Sequence, residues 1–196
     1  MYRYVLRWVL PLSVAFTVLV TPTYAMPSAP PDLNIQIHDQ CDAPTFNGAV
    51  GPGTCVGNGQ VTFIKFLDEV TQFHAAPQWH FAPLQRQMTV GQTFVVNNAG
   101  GEAHTFTEVD QFGGGIVPLL NTLSNANGIA PECSDGTVDP NNPNGFLRLA
   151  APAIASTVLP GGTPFRDTEG ANDVGHPVLY QCCIHPWMHE VITVKA

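Results

Sequence analysis

The chain has 196 residues and is acidic, with 15 Asp and Glu against 7 Lys and Arg. That length is enough for one sizeable core and argues for a single domain. The negative charge argues against nucleic acid as a partner and suits a basic protein surface, reached by electrostatic steering; it also keeps an exported protein soluble.

Residues 1–25 read as an export signal. Arg3 and Arg7 form a short basic region, Trp8–Val20 is a largely apolar run of 13 residues, and Thr23-Tyr24-Ala25 fits a small-residue cleavage site. An apolar run of that length is short of the roughly 20 residues that a membrane span needs. The mature chain is therefore expected to be 26–196, without a membrane span, in the periplasm or outside the cell; an uncleaved anchor is the alternative. Removing Arg3 and Arg7 leaves 5 basic residues against 15 acidic ones, a net charge of −10.

Residues 26–31 are Pro-rich and read as a lead-in. Asn34-Ile35-Gln36-Ile37-His38 alternates and predicts a strand. Residues 39–60 read as loop, and Val61-Thr62-Phe63-Ile64-Lys65-Phe66 as a second strand, with a short helix or turn over 68–78. Strands follow at Met88–Val90, Gln92–Val96 and Ala103–Val109. Residues 110–145 carry Gly113-Gly114-Gly115 and many Pro and Asn, with no periodic segment; an insertion of that kind is usually functional or disordered. Ser156–Leu159 predicts a strand, a Gly/Asp/Asn-rich connection leads to another over His176–Cys182, and Val191–Lys195 closes the chain. Many short strands with turn punctuation argue for an all-β, antiparallel sandwich.

The chemistry concentrates in Tyr180-Gln181-Cys182-Cys183-Ile184-His185-Pro186-Trp187-Met188. A thiolate at Cys182, an imidazole at His185 and a thioether at Met188 are soft-to-borderline donors, a mix that favours copper over zinc, calcium or magnesium. A loop at a strand end can bring three such side chains to one ion. A second imidazole would complete a trigonal site with an axial Met, and His104, after Asn97-Asn98-Ala99-Gly100-Gly101, is the candidate. Neighbouring strand residues point to opposite faces, so only one of Cys182 and Cys183 can enter the pocket.

At these residues the chain resembles the cupredoxins, above all carriers of the plastocyanin and amicyanin type. The likeness covers roughly 79–109 and 176–196. It rests on a His after an Asn/Gly-rich turn, on Tyr-x-Cys-x-x-His, and on the loop Cys182-x-x-His185-Pro186-Trp187-Met188. It implies a Greek-key β-sandwich holding one type 1 copper ion on His104, Cys182, His185 and Met188, with the 110–175 stretch as a long loop insertion. It implies single-electron exchange with partner proteins through the exposed edge of His185, inside an apolar rim of Pro186 and Trp187. Family members often carry Asn after the first His, where this chain has Thr105.

With Cys182 as a ligand, four cysteines remain for an oxidising compartment. Cys41 and Cys55 are a plausible pair, and Cys133 and Cys183 would then form a second, although four cysteines allow three connectivities. His189 is expected at the surface; His74 and His80 are a weak candidate for a second metal site. The rival functions are copper storage or delivery, and a binding module that uses the 110–175 insertion. Four protein ligands would leave no open position for substrate, which disfavours an enzyme.

Overall fold

The computed structural model describes residues 31–150, 157–159, 164–168 and 174–196. The expected export signal lies outside them. The strands in chain order are β1 (Leu33–His38), β2 (His80–Ala82), β3 (Gln85–Thr89), β4 (Thr93–Asn98), β5 (His104–Val109), β6 (Thr157–Leu159), β7 (Pro164–Thr168), β8 (Pro177–Gln181) and β9 (His189–Lys195). They form two sheets, ordered β2-β1-β4-β7 and β3-β9-β8-β5-β6. The chain is thus an all-β sandwich, as expected, but its sheets are mixed. β1 runs parallel to β4, and β3 parallel to β9. Alternation reports which face a residue takes, not the direction of its neighbour; the long connections between these strands permit the parallel pairing.

The inward faces of both sheets meet in one apolar core. Ile35 and Ile37 of β1, Phe94 and Val96 of β4, and Ile192 and Val194 of β9 are all fully buried. At its centre Phe106 of β5 stacks on Tyr180 of β8, with ring centroids 4.4 Å apart and planes 12° from parallel. Phe81 and Phe94 meet Phe106 edge-on. Such contacts add to the burial of large rings. They also pin β5, which opens at His104, against β8, whose end leads into Cys182.

Two expectations from the sequence are overturned between β1 and β2. Residues 39–60 are not all loop: α1 (Ala43–Ala49) begins where the Asp42 side chain accepts a hydrogen bond from the Thr45 N–H, with Pro44 in its first turn. Val61–Phe66 is not a strand, because α2 (Phe63–Phe73) starts inside it, capped by the Thr62 hydroxyl. Phe63, Phe66, Leu67 and Val70 repeat at the helical period, and the buried Phe66 and Val70 face the core. The helix ends at His74, which takes a left-handed backbone and bonds through Nδ1 with the Leu123 carbonyl, 2.9 Å away.

The described part of the 110–175 insertion folds back on the sandwich. It holds α3 (Pro118–Leu123). Leu147 N–H donates to the Ile116 carbonyl, and Gly113 pairs with the Gln181 side chain in both directions. Gly115 shows why the triple glycine stands here: a Cβ at that position would lie 1.9 Å from the Cys183 carbonyl oxygen. β7 falls in the stretch that reads as connection from sequence, and it pairs with β4 at the sheet edge.

One core position is out of keeping with its neighbours. Glu190 points inward beside Ile192 and Val194, is 0% exposed, and neither carboxylate oxygen has a hydrogen-bond partner among the described residues. Burial pushes its pKa up to about 8, with Arg86 opposing. The folded state therefore favours the protonated acid. The stability this gives is present below the ordinary carboxylate range and is lost as pH rises toward 8. Glu190→Gln should raise the melting temperature at pH 8 and leave it nearly unchanged at pH 4, as read by thermal denaturation across pH.

Candidate metal centre

The first candidate ligand, His104, opens β5; Cys182 follows the end of β8; His185 and Met188 lie on the loop from β8 to β9. All four are buried: His104 and Cys182 are 0% exposed, Met188 1% and His185 2%. Cys182 Sγ lies 3.7 Å from His104 Nδ1 and 3.8 Å from His185 Nδ1. The three donor atoms lie within 4.8 Å of one another. Imidazole and thiolate donors at about 2.0 and 2.3 Å from a shared ion, across a trigonal angle, are about 3.7 Å apart. The triad therefore fits one ion without rearrangement, and a thiolate with two imidazoles is a copper-type donor set. Met188 packs in the same apolar cluster as Cys182.

The loop that carries these ligands closes on itself. Cys182 N–H donates to the Met188 carbonyl at 3.1 Å, and Met188 N–H to the His185 carbonyl at 3.0 Å. Two peptide N–H groups point at the sulfur, from Thr105 at 3.4 Å and His185 at 3.5 Å. The Thr105 hydroxyl accepts from Cys183 N–H at 2.7 Å, so the residue standing where the family often has Asn ties the first ligand's strand to the ligand loop. Cys183 faces away, as strand alternation requires, and is joined to Cys133; Cys41 is joined to Cys55. Both expected disulfides are present, and Cys182 is the free cysteine.

The electrostatics favour a thiolate. Burial pushes the Cys182 thiol up, but the His104 and His185 imidazoles outweigh burial and hold it well below its ordinary value. Burial also opposes the charged form of His104. Its hydrogen bonds to Asp39 and Cys182 reverse this and raise its pKa to about 9.

Asp39, from the end of β1, is 2.9 Å from His104 Nε2. Its carboxylate also accepts the N–H groups of Cys41, Gly101 and Glu102. Burial pushes its pKa up, but the His104 hydrogen bond, with the Glu102 and Gly101 N–H groups, outweighs burial and holds it well below the usual carboxylate range. Glu102 lies behind the other imidazole. Its Oε2 is 3.6 Å from His185 Nε2 and accepts the Trp79 indole N–H at 2.6 Å. The sequence reading assigned a role to neither acid. Asp39 fell in a stretch read as loop, and Glu102 stood inside the His104 motif without a spacing signal.

The exposed rim implied by the resemblance is absent. His185 and Pro186 are buried, and Trp187 is half-buried with its indole N–H on the Trp79 carbonyl. Phe66, brought in by α2, meets the His185 ring at right angles with centroids 6.1 Å apart. Helices between β1 and β2 thus cover the edge that was expected to face solvent. His189 is half-buried rather than at the surface and stacks on Phe112 at 3.8 Å. His74 and His80 do not converge: His80 stacks on His38.

The described strands form a two-sheet β-sandwich, with one candidate ligand opening β5 and three at or beyond the end of β8. No family model and no curated protein matches the chain. Among solved structures it is similar to a purple cupredoxin from Nitrosopumilus maritimus, at 17% identity and TM-score 0.39, over 84% of this chain and 100% of that one. It is also similar to a copper-containing nitrite reductase from Thermus scotoductus SA-01, at 17% identity and TM-score 0.34, over 60% of this chain and 20% of that one. A reduced amicyanin variant aligns at 13% identity and TM-score 0.31, over 57% of this chain and 70% of that one. All three TM-scores are below 0.5, so the copper reading rests on the chain's own donor atoms.

A ligand imidazole is oriented by the group on its other nitrogen, and loss of such a partner typically weakens metal binding by about tenfold to a hundredfold. Asp39→Asn should weaken copper binding by about that factor in chelator competition. Unchanged affinity would show that the carboxylate does not orient His104.

Proposed function

We propose that the chain is an exported type 1 copper protein that carries single electrons between redox partners, with His104, Cys182, His185 and Met188 as ligands. The observation that carries this reading is the buried triad. A thiol and two imidazole nitrogens sit at 3.7 and 3.8 Å, the spacing one ion requires, with peptide N–H groups directed at the sulfur. Copper in such a site would supply one-electron cycling between its two oxidation states.

The protein's part is to hold the donors still. Disulfide Cys133–Cys183 and the Thr105 hydroxyl both hold Cys183, the neighbour of Cys182, and the Asp39 carboxylate holds His104 itself, so the set need not move on a change of charge. The full burial of the triad disfavours rapid release of an ion, and hence the storage or delivery alternative. The described part of the insertion is stitched to the ligand loop through Gly115, Ile116 and Cys133, which supports reading it as part of this site. Electrons would leave through the aromatic cover of His185, with Trp187 as its half-exposed member. The acidic surface suits basic partners.

The deciding measurement is a visible absorption spectrum of the mature chain after addition of Cu(II), before and after ascorbate. An intense blue or purple band that bleaches on reduction and returns on oxidation is expected. Cys182→Ser should abolish it, while Cys183→Ser should leave the thiolate band in place wherever the variant folds. A colourless wild-type chain would sink the proposal.

A further inference from the structure

The helices that cover His185 do not fill the space above it. A cavity of about 420 Å³ lies between α1, α2, α3 and the 144–146 segment. That volume is within the range of small-molecule sites, and so is the composition of its wall. Phe46, Phe63, Phe66, Leu120 and Phe146 are among the residues that line it. His185 and Glu102 also line it, as do Thr54 and Asn144, whose side chains donate to the Gly51 and Val50 carbonyls.

Glu102 gives this cavity a polar handle. Its residue is 7% exposed. One carboxylate oxygen takes the Trp79 indole N–H. The other has no hydrogen bond from the described residues, yet it is not among the buried atoms without a partner, so it is open to the cavity. A buried polar group in an apolar chamber lowers its free energy by pairing, and an occupant that brings a hydroxyl satisfies it. The ring faces of Phe46, Phe63 and Phe66 offer offset or edge contacts to a flat aromatic body.

We propose that this chamber binds a small aromatic alcohol, with its ring among the phenylalanines and its hydroxyl at Glu102 beside His185. A volume of about 420 Å³ leaves room for a fused two-ring body. The assignment does not depend on the copper reading, since protein atoms alone form the chamber. Loss of the blue band with retained binding, or the reverse, would separate the two.

The test uses 2-naphthol as probe and 2-methylnaphthalene as a match in shape that lacks the hydroxyl. Both are titrated into the metal-free and the copper-treated full mature chain, by calorimetry and by saturation-transfer NMR. Saturable 1:1 binding of 2-naphthol to both forms is expected. Binding of 2-methylnaphthalene should be about fivefold weaker or more, the effect of one unmet hydrogen bond. Ala49 and Leu119 are exposed residues on the cavity wall, from α1 and α3. Ala49→Trp and Leu119→Trp should each weaken 2-naphthol at least tenfold by filling the chamber, with circular dichroism unchanged. The use of two exposed positions on different helices keeps the test valid if one variant fails to fold. Absence of saturable binding, equal affinity for the two probes, or binding unaltered in a folded Trp variant would each overturn the proposal.

Discussion

A sulfur that favours the anionic state lies where it has no exposure to water. Leaving such a charge in an apolar interior is costly unless neighbouring groups balance it. Here the balance is passed inward along a line. Two imidazoles and two peptide N–H groups face Cys182. His104 then faces Asp39, whose carboxylate is met by three peptide N–H groups. The Gly100–Gly101 turn makes room for this arrangement, because a Cβ at Gly100 would lie 1.9 Å from Asp39 Oδ2. Strands β1, β4, β5 and β8 all contribute to a single electrostatic construction, and the Phe106–Tyr180 stack sets two of them in register beside it.

The second imidazole is treated differently. Its far nitrogen faces Glu102 at 3.6 Å, longer than a hydrogen bond, and its ring lies among Phe66, Trp79 and Trp187. One imidazole is therefore clamped by an acid and the other is bedded in aromatic rings. Phe66 comes from α2 and Trp79 follows that helix, both in the long connection between β1 and β2, while Trp187 stands on the loop from β8 to β9. That connection changes the character of the site. The sandwich supplies the donors, and the additions between strands decide what can approach them.

The candidate ligands were legible because their signals are local or nearly so. Cys182, His185 and Met188 stand within seven residues, and His104 follows a recognisable turn. Asp39 and Glu102 were not legible as supporting groups, since each reaches its imidazole only through tertiary packing. The strand reading of Val61–Phe66 failed for a different reason. A six-residue window shows β-rich residue types, while the repeat of Phe63, Phe66, Leu67 and Val70 needs a longer one. The parallel pairs were invisible to alternation, and Pro164-Phe165-Arg166-Asp167-Thr168 lacks the apolar pattern that marks an inner strand. The exposed rim was carried over from the resemblance, and residues with no counterpart in that motif covered it.

Cys182 and Cys183 are adjacent in sequence, yet one must stay reduced while the other is oxidised. That places a demand on biosynthesis rather than on the finished molecule. A wrong pairing that consumes Cys182 removes the one sulfur that faces His104 and His185. Correct maturation requires that Cys133 find Cys183 and not its neighbour, although the two sulfurs are separated in the unfolded chain by a single peptide unit. The folded sandwich supplies the discrimination, because only the outward side of β8's end faces the insertion. Oxidation before the sheets pair would be close to indiscriminate, so an oxidant that acts late, or one that can reverse its errors, is the one this chain needs.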